Sequence, residues 1–291
     1  MKKYLARLCG AFYEGWRAFC KGSHQAAEPV EGKYDDSSYL YASWELDDDV
    51  QAADLARKAA EQGVARAQYD LGSMYEDGKG VEEDYQQAAF WWRKAAEQGD
   101  AEVQCRLADM YASGRVEEER DGVEAVRWFR AAAEQGHLVA IYRLGGMYEE
   151  GHGVEEDYYQ AVDWYRQAAE QGHSPAQKNL GMMYFMGWGV EQDDSLAVDW
   201  WRKAAEQRDC DAQNNLGMMF CMGRGVAQND TQAVKWFKKA ADRWDGLARY
   251  NLGLMYEKGL GVEQDYHQAL DLYHKAKSDH GSQIAKYRIG V

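Results

Sequence analysis

A Leu-Gly pair returns along this chain at a nearly fixed interval. It stands at Leu71-Gly72, Leu144-Gly145, Leu180-Gly181, Leu216-Gly217 and Leu252-Gly253, with Leu107-Ala108 as a variant and Ile289-Gly290 last. The steps are 36 or 37 residues. A period of this size means that each repeat is one supersecondary unit, too small to bury its own apolar face and completed by its neighbours. A length of 291 residues would otherwise suggest about two globular domains. Stacked repeats remove the need for a single core, because each contacts only the next.

Residues 174–209 give the clearest copy, SPAQKNLGMMYFMGWGVEQDDSLAVDWWRKAAEQRD. Ala176, Leu180 and Tyr184 recur every four residues and so share one helical face. Ser174 is read as the N-cap, with Pro175 at the first helical position. Gly181 sits inside this helix at a cost of about 0.5–1 kcal/mol relative to Ala, which predicts close approach by the partner helix. Gly187 and Gly189 end the helix and form a tight loop. Asp193 then caps a second helix, whose apolar face is Ala197, Trp200 or Trp201, and Ala204. In other copies AAEQG closes the second helix, with Gly63, Gly99, Gly136 and Gly172 as stop signals.

The shared pattern AQxNLGMMYxxGxGVxxDxxxAvxWwrKAAEQG resembles the Sel-one-like repeat (SLR), a relative of the tetratricopeptide repeat, over roughly residues 50–291. The resemblance implies an all-α fold: a right-handed α/α superhelical solenoid of tandem 36-residue helix-turn-helix repeats that binds other proteins through its concave face. Adaptors, scaffolds, secreted effectors and toxin-neutralising partners share this architecture.

The chain divides as follows. Residues 1–22 carry Lys2, Lys3, Arg7, Arg17 and Lys21 against one acid, Glu14. Leu5, Leu8, Phe12, Trp16 and Phe19 fall three or four apart and make the segment an amphipathic helix. It is a poor signal peptide, since Arg7 and Glu14 interrupt any apolar stretch. Its three readings are a cap on the first repeat, an interfacial helix making peripheral membrane contact, and an arm that docks on a partner or on the chain itself. Residues 23–33 read as a linker, 34–63 as a degenerate N-terminal repeat, 64–281 as six full repeats and 282–291 as a C-terminal half-repeat cap. Arg208 and Trp244 replace the terminal Gly in the fourth and fifth repeats. No run reaches 18 apolar residues, so no transmembrane span is expected.

A formal net charge of −15 argues against nucleic acid, which wants a basic stripe, and favours a basic partner. The five cysteines are an odd count. Cys9/Cys20 and Cys210/Cys221 each lie 11 apart on one helix, about 16 Å by helical rise and beyond disulfide reach. Reduced thiols and a cytoplasmic location follow. The seven histidines do not cluster: His137 and His173 read as exposed helix starts, and His267 and His274 are two turns apart, so no metal or other cofactor is expected. The acidic runs at 82–84, 155–157 and 191–194 lack the pattern of a calcium loop, and neither SxxK nor GxSxG occurs. The chain is therefore read as no enzyme.

Differences between repeats carry the functional expectation. Two, five and six places after the Leu, the first three repeats are mostly polar, as at Glu76, Asp77, Glu149 and Glu150. The fourth has Met182, Phe185 and Met186; the fifth has Met218, Cys221 and Met222; the sixth opens with Leu254 before Glu257 and Lys258. First helices line the concave surface in the architecture that the resemblance implies. These places are therefore expected to form an apolar, Met-rich strip for a protein or peptide partner. Because polar residues serve elsewhere, the fold is not expected to need apolar ones there. A non-catalytic scaffold or adaptor is the leading expectation. The alternative is an immunity- or inhibitor-type protein that masks a basic toxin or enzyme.

Overall fold

The computed structural model describes residues 33–278 apart from 45, 47, 117–120 and 244. The expectations for the 1–22 helix with Leu5, Leu8, Phe12, Trp16 and Phe19, for nearly all of the 23–33 linker, for Trp244 and for the 282–291 cap lie outside the described residues. Among the described residues there are fourteen α-helices and no strand, so the chain is all-α.

The chain forms two compact units that divide between Asp121 and Gly122. The first holds α1 (Asp36–Trp44), α2 (Asp49–Glu61), α3 (Ala65–Asp77), α4 (Tyr85–Ala96) and α5 (Ala101–Ala112). The second holds α6 (Asp121–Glu134), which starts at the division, then α7 (Leu138–Glu150), α8 (Tyr158–Glu170), α9 (Ser174–Met186) and α10 (Asp194–Glu206). It continues with α11 (Cys210–Met222), α12 (Asp230–Ala241), α13 (Gly246–Lys258) and α14 (Tyr266–Ser278). Helices α1–α2, α3–α4, α7–α8, α9–α10, α11–α12 and α13–α14 pair as hairpins, and α2–α3, α4–α5, α8–α9, α10–α11 and α12–α13 stack in chain order, as in a solenoid of tandem repeats.

The repeat consensus explains the hairpin. Ala176, Leu180 and Met183 of α9 are buried, as are Ala197, Val198, Trp201, Ala204 and Ala205 of α10. The predicted face is thus correct, and Trp201 is its aromatic. Trp200 stays half-buried with the Lys203 ammonium 3.7 Å from its ring centroid. Gly181 is needed because the Trp201 ring lies on it: a Cβ there would come within 2.7 Å of the indole Cδ1 and Nε1. The close approach predicted from this glycine is therefore made by an aromatic side chain. The indole Nε1 donates to the Lys178 carbonyl at 3.1 Å, which fixes the ring.

Capping follows the sequence in one helix of the pair and departs from it in the other. Asp84, Asp157 and Asp193 accept backbone N–H groups at the starts of α4, α8 and α10. Ser174, in contrast, is not the cap of α9. His173 is, its Nδ1 accepting from the Ala176 N–H at 3.3 Å, and His137 serves α7 in the same way at 3.2 Å. Gly172 takes φ +89, as expected of a stop. Arg208 holds φ +73, the only non-glycine with positive φ among the described residues, so this repeat accepts the strain that glycine avoids.

Repeats are also joined by polar rungs. Gln177, buried in α9, donates to the Ala169 carbonyl at 3.0 Å and accepts from Gln207 Nε2 at 2.8 Å. Gln207 also donates to the Gly172 carbonyl at 3.0 Å. Gln68 and Gln98 repeat the arrangement in the first unit. A second kind of rung runs from an arginine of one helix to a tyrosine hydroxyl 18 residues on, at Arg130–Tyr148 and Arg166–Tyr184 in the second unit.

Candidate functional site

The first helices α7, α9, α11 and α13 carry one open groove of about 330 Å³ in the second unit. Glu149 of α7 lies at one side, and Lys178, Asn179 and Met182 of α9 follow. Asp211, Asn214 and Asn215 of α11 come next, with Asp245 and Leu247 at the start of α13. The period puts two of these residues together: Asn179 and Asn215 each precede the repeat leucine, 36 residues apart, and Asn251, outside the groove lining, holds the same place in the next repeat.

Hydrogen bonds pre-order this surface. Lys178 Nζ bridges to Asp211 Oδ2 in the next repeat at 2.9 Å. Asn251 Nδ2 donates to Asn214 Oδ1 at 2.8 Å, and Asn214 is only 2% exposed. The Tyr165 hydroxyl donates to Glu149 and also faces Asn179. Burial and then the Glu149 carboxylate push the Tyr165 phenol well above its ordinary range, so it remains a donor. Asp245 caps α13 by accepting from the Ala248 N–H at 2.8 Å.

The Met-rich places are distributed differently from the sequence expectation. Of them, Met182 lines this groove. Met182 and Phe185 are half-buried against the core of α10 and α11, built on Val198, Trp201, Leu216 and Met219. Phe185 lies 5.5 Å from the Trp201 ring, and Arg224, bound to Asp194 by two bonds of 2.8 Å, covers its ring at 4.6 Å. Met218 and Cys221 pack likewise on the core of α12 and α13. Cys221 Sγ is 3.6 Å from Met255 Sδ, and burial pushes its thiol up to about 11. Leu254 is half-buried. Met186 and Met222 are the exposed pair, 47% and 48% accessible at equivalent places in adjacent repeats.

The expectation that the fold does not need apolar residues at these places therefore fails for Met182, Phe185, Met218 and Cys221. The next repeat covers the inner side of each, so they support the core whatever else they do. Sequence reasoning also passed over Asn179, Asn215 and Asn251. The signal was present one place before the Leu, where the earlier repeats carry Asp70, Arg106 and Arg143.

Among the described residues no three His, Cys, Asp or Glu side chains are grouped to hold a metal ion. No helix among them is long and apolar enough to cross a membrane.

The Sel1 repeat family model matches residues 40–64, 65–100, 101–137, 138–173, 174–209, 210–243 and 246–279. Two solved structures share both sequence and fold. One is c5321, described as a protective antigen present in uropathogenic Escherichia coli strains and displaying an SLR fold. It is 37% identical over 87% of this chain with a TM-score of 0.79, and the match spans 56% of the antigen's own chain. The other is a Sel1 repeat protein from Oxalobacter formigenes, 34% identical over 88% of this chain and 76% of its own, with a TM-score of 0.74. No curated protein sequence matches. With seven matched repeats between residues 40 and 279, the chain belongs to the Sel1 repeat family.

Proposed function

We propose that the chain is a non-catalytic interaction scaffold that holds a peptide or protein partner on the first helices of its second unit. The observation that carries this reading is the pair Met186 and Met222. Each projects from the last turn of a first helix where other repeats place Asp77, Glu150 or Lys258. Burying such side chains on a partner is favourable, and Met adapts its shape to what it meets. Met182, Phe185, Met218, Cys221 and Leu254, all half-buried, are the further apolar places that we assign to the same surface.

The test is a Met186→Ser/Met222→Ser double variant, measured against the partner captured and cross-linked from the native host. Melting stays within about 0.5 kcal/mol of the parent, as for other surface changes. Partner affinity falls strongly, because central apolar anchors often contribute about 2 kcal/mol or more. A variant that melts normally and binds with unchanged affinity overturns the reading.

The net charge of −15 favours a second reading, an inhibitor or immunity-type protein that masks a basic toxin or enzyme. Salt separates the two. Charge masking weakens steeply with ionic strength, whereas anchoring by methionines does not.

We also infer that the chain works in a reducing, cytoplasmic setting. Cys105, Cys210 and Cys221 are all free thiols. All five cysteines should react with a thiol reagent in the unfolded, unreduced protein. Fewer than five reactive thiols, with a mass loss of two for each missing pair, would contradict this.

A further inference from the structure

We infer that the exposed face of α12 is a second docking surface, on which Lys235, Lys238, Lys239 and the following Arg243 hold a short Asp/Glu-rich segment of a partner protein. The surface lies on a second helix, so the inference goes beyond the groove reading and does not depend on it.

Three observations carry it. The first is a reversal of charge. Six places after the cap, the second helices of four other repeats carry an aspartate tied to a cation further along. The pairs are Asp54–Arg57 at 3.2 Å, Asp163–Arg166 at 2.9 Å, Asp199–Arg202 at 3.1 Å and Asp271–Lys275 at 2.6 Å. In α12 that place is Lys235, and Lys238 stands where the arginine would. Lys235, Lys238 and Lys239 are three and four residues apart on one helical face, where like charges repel. All three are exposed, and none makes an ion pair among the described residues.

The second observation is that the fold gains nothing from these cations. Arg243 stands where other repeats have Gln62, Gln98, Gln135, Gln171 and Gln207, and the buried Gln213 Oε1 is left without a partner. Two places in one repeat thus give up an interaction that the fold uses elsewhere, and each gains a positive charge. Local rules broken together in this way point to binding rather than stability. The third is confinement. Lys239 Nζ lies 3.8 Å from the Trp236 ring centroid, so its ammonium is steadied over a half-buried indole packed on the core of α10 and α11. On the flanking second helices, Asp199 and Arg202 cancel, as do Asp271 and Lys275. Asp242 is the one carboxylate among the four cations. They span about 12 Å at about 1.5 Å per helical residue, the length of about four extended residues. Attraction reaches only about 8 Å at physiological salt. A nucleic acid or an anionic membrane would run past the patch onto a chain of net charge −15, whereas a short acidic stretch stays within it.

The probe is a fluorescein-labelled peptide of four Asp-Glu repeats, titrated into the full chain at low salt and followed by anisotropy. Lys235→Asp/Arg243→Gln puts the residues of the other repeats at both places. The parent binds the peptide and releases it as salt rises. The double variant binds about tenfold more weakly, as the loss of a few exposed charge pairs does, and melts at the same temperature or higher. Should it melt lower, Lys238→Gln/Lys239→Gln is read in the same way. Met186→Ser/Met222→Ser, which alters the groove, binds the peptide as the parent does. A parent that does not bind the peptide, or a well-folded double variant that keeps the parent's affinity, overturns the inference. So does a peptide that Met186→Ser/Met222→Ser weakens, because it then sits in the groove. Tighter binding of an oligothymidylate or of phosphatidylglycerol vesicles through the same cations overturns the acidic protein segment as occupant. Self-association of the parent that the double variant loses makes the occupant a second copy and overturns the separate partner.

Discussion

At the scale of single residues, the chain shows what happens when one repeat loses a partner that two others keep. Gln177 and Gln68 each have both ends of the amide satisfied, because Gln207 and Gln98 donate to their oxygens at 2.8 Å. Gln213 holds the same place in α11 and is 3% exposed, and its Nε2 donates to the Ala205 carbonyl at 3.0 Å. Its Oε1 is buried with no partner, for Arg243 stands where Gln207 stands one repeat earlier. A buried acceptor left unmade costs about 1–3 kcal/mol. Arg243→Gln should therefore raise stability by about 1 kcal/mol, and Gln207→Ala should lower it by about the same or more. Chemical denaturation of the two variants checks the pair. A destabilised Arg243→Gln protein would show that the missing rung is not what limits this repeat. The repeating glutamines are plain in the sequence; that they form a ladder is not, because the two ends of each rung lie 30 residues apart.

At the scale of the helix, the second helices α2, α4, α8 and α10 are legible because the cap is an aspartate followed by an apolar period, with Asn229 in that place at α12. The first helix α9 is less so, since Ser174 offers an ordinary cap and the structure uses His173. The consequence is a pH response. Burial holds the His173 imidazole below its ordinary value, and only the neutral ring can accept the Ala176 N–H. A positive charge at a helix start also opposes the macrodipole. A group whose folded value is depressed contributes stability above its unfolded value and loses it as the pH falls through the folded one. Stability of α9 should thus decline as the pH falls below the ordinary histidine value of about 6.5. Asp209 and Asp245 fill the same place in the next two repeats and accept at 2.8 Å. His173→Asp should keep the cap and lose this part of the pH response. Melting of parent and variant between neutral and mildly acidic pH decides it. Parallel declines in the two proteins would remove His173 as the cause.

The strip of apolar places shows the limit of reading one repeat at a time. Met182 and Phe185 differ from their counterparts in polarity, and that difference is visible in the sequence. What covers their inner side comes from α10 and α11, and no comparison of equivalent positions reports it. The exposed remainder is Met186 and Met222.

At the scale of the whole molecule, fold and period are one fact, and the family match follows from them. The groove is a product of stacking: residues 36 apart, such as Asn179 and Asn215, line it together. The proposed function places the partner on α9, α11 and α13, between residues 174 and 258. Amide hydrogen exchange of the full chain, with and without the captured partner, tests this most directly. The proposal predicts slowed exchange in these three first helices, with the first unit at its unbound rates. Protection confined to the second helices α8, α10 and α12, or to residues 36–112, would contradict it.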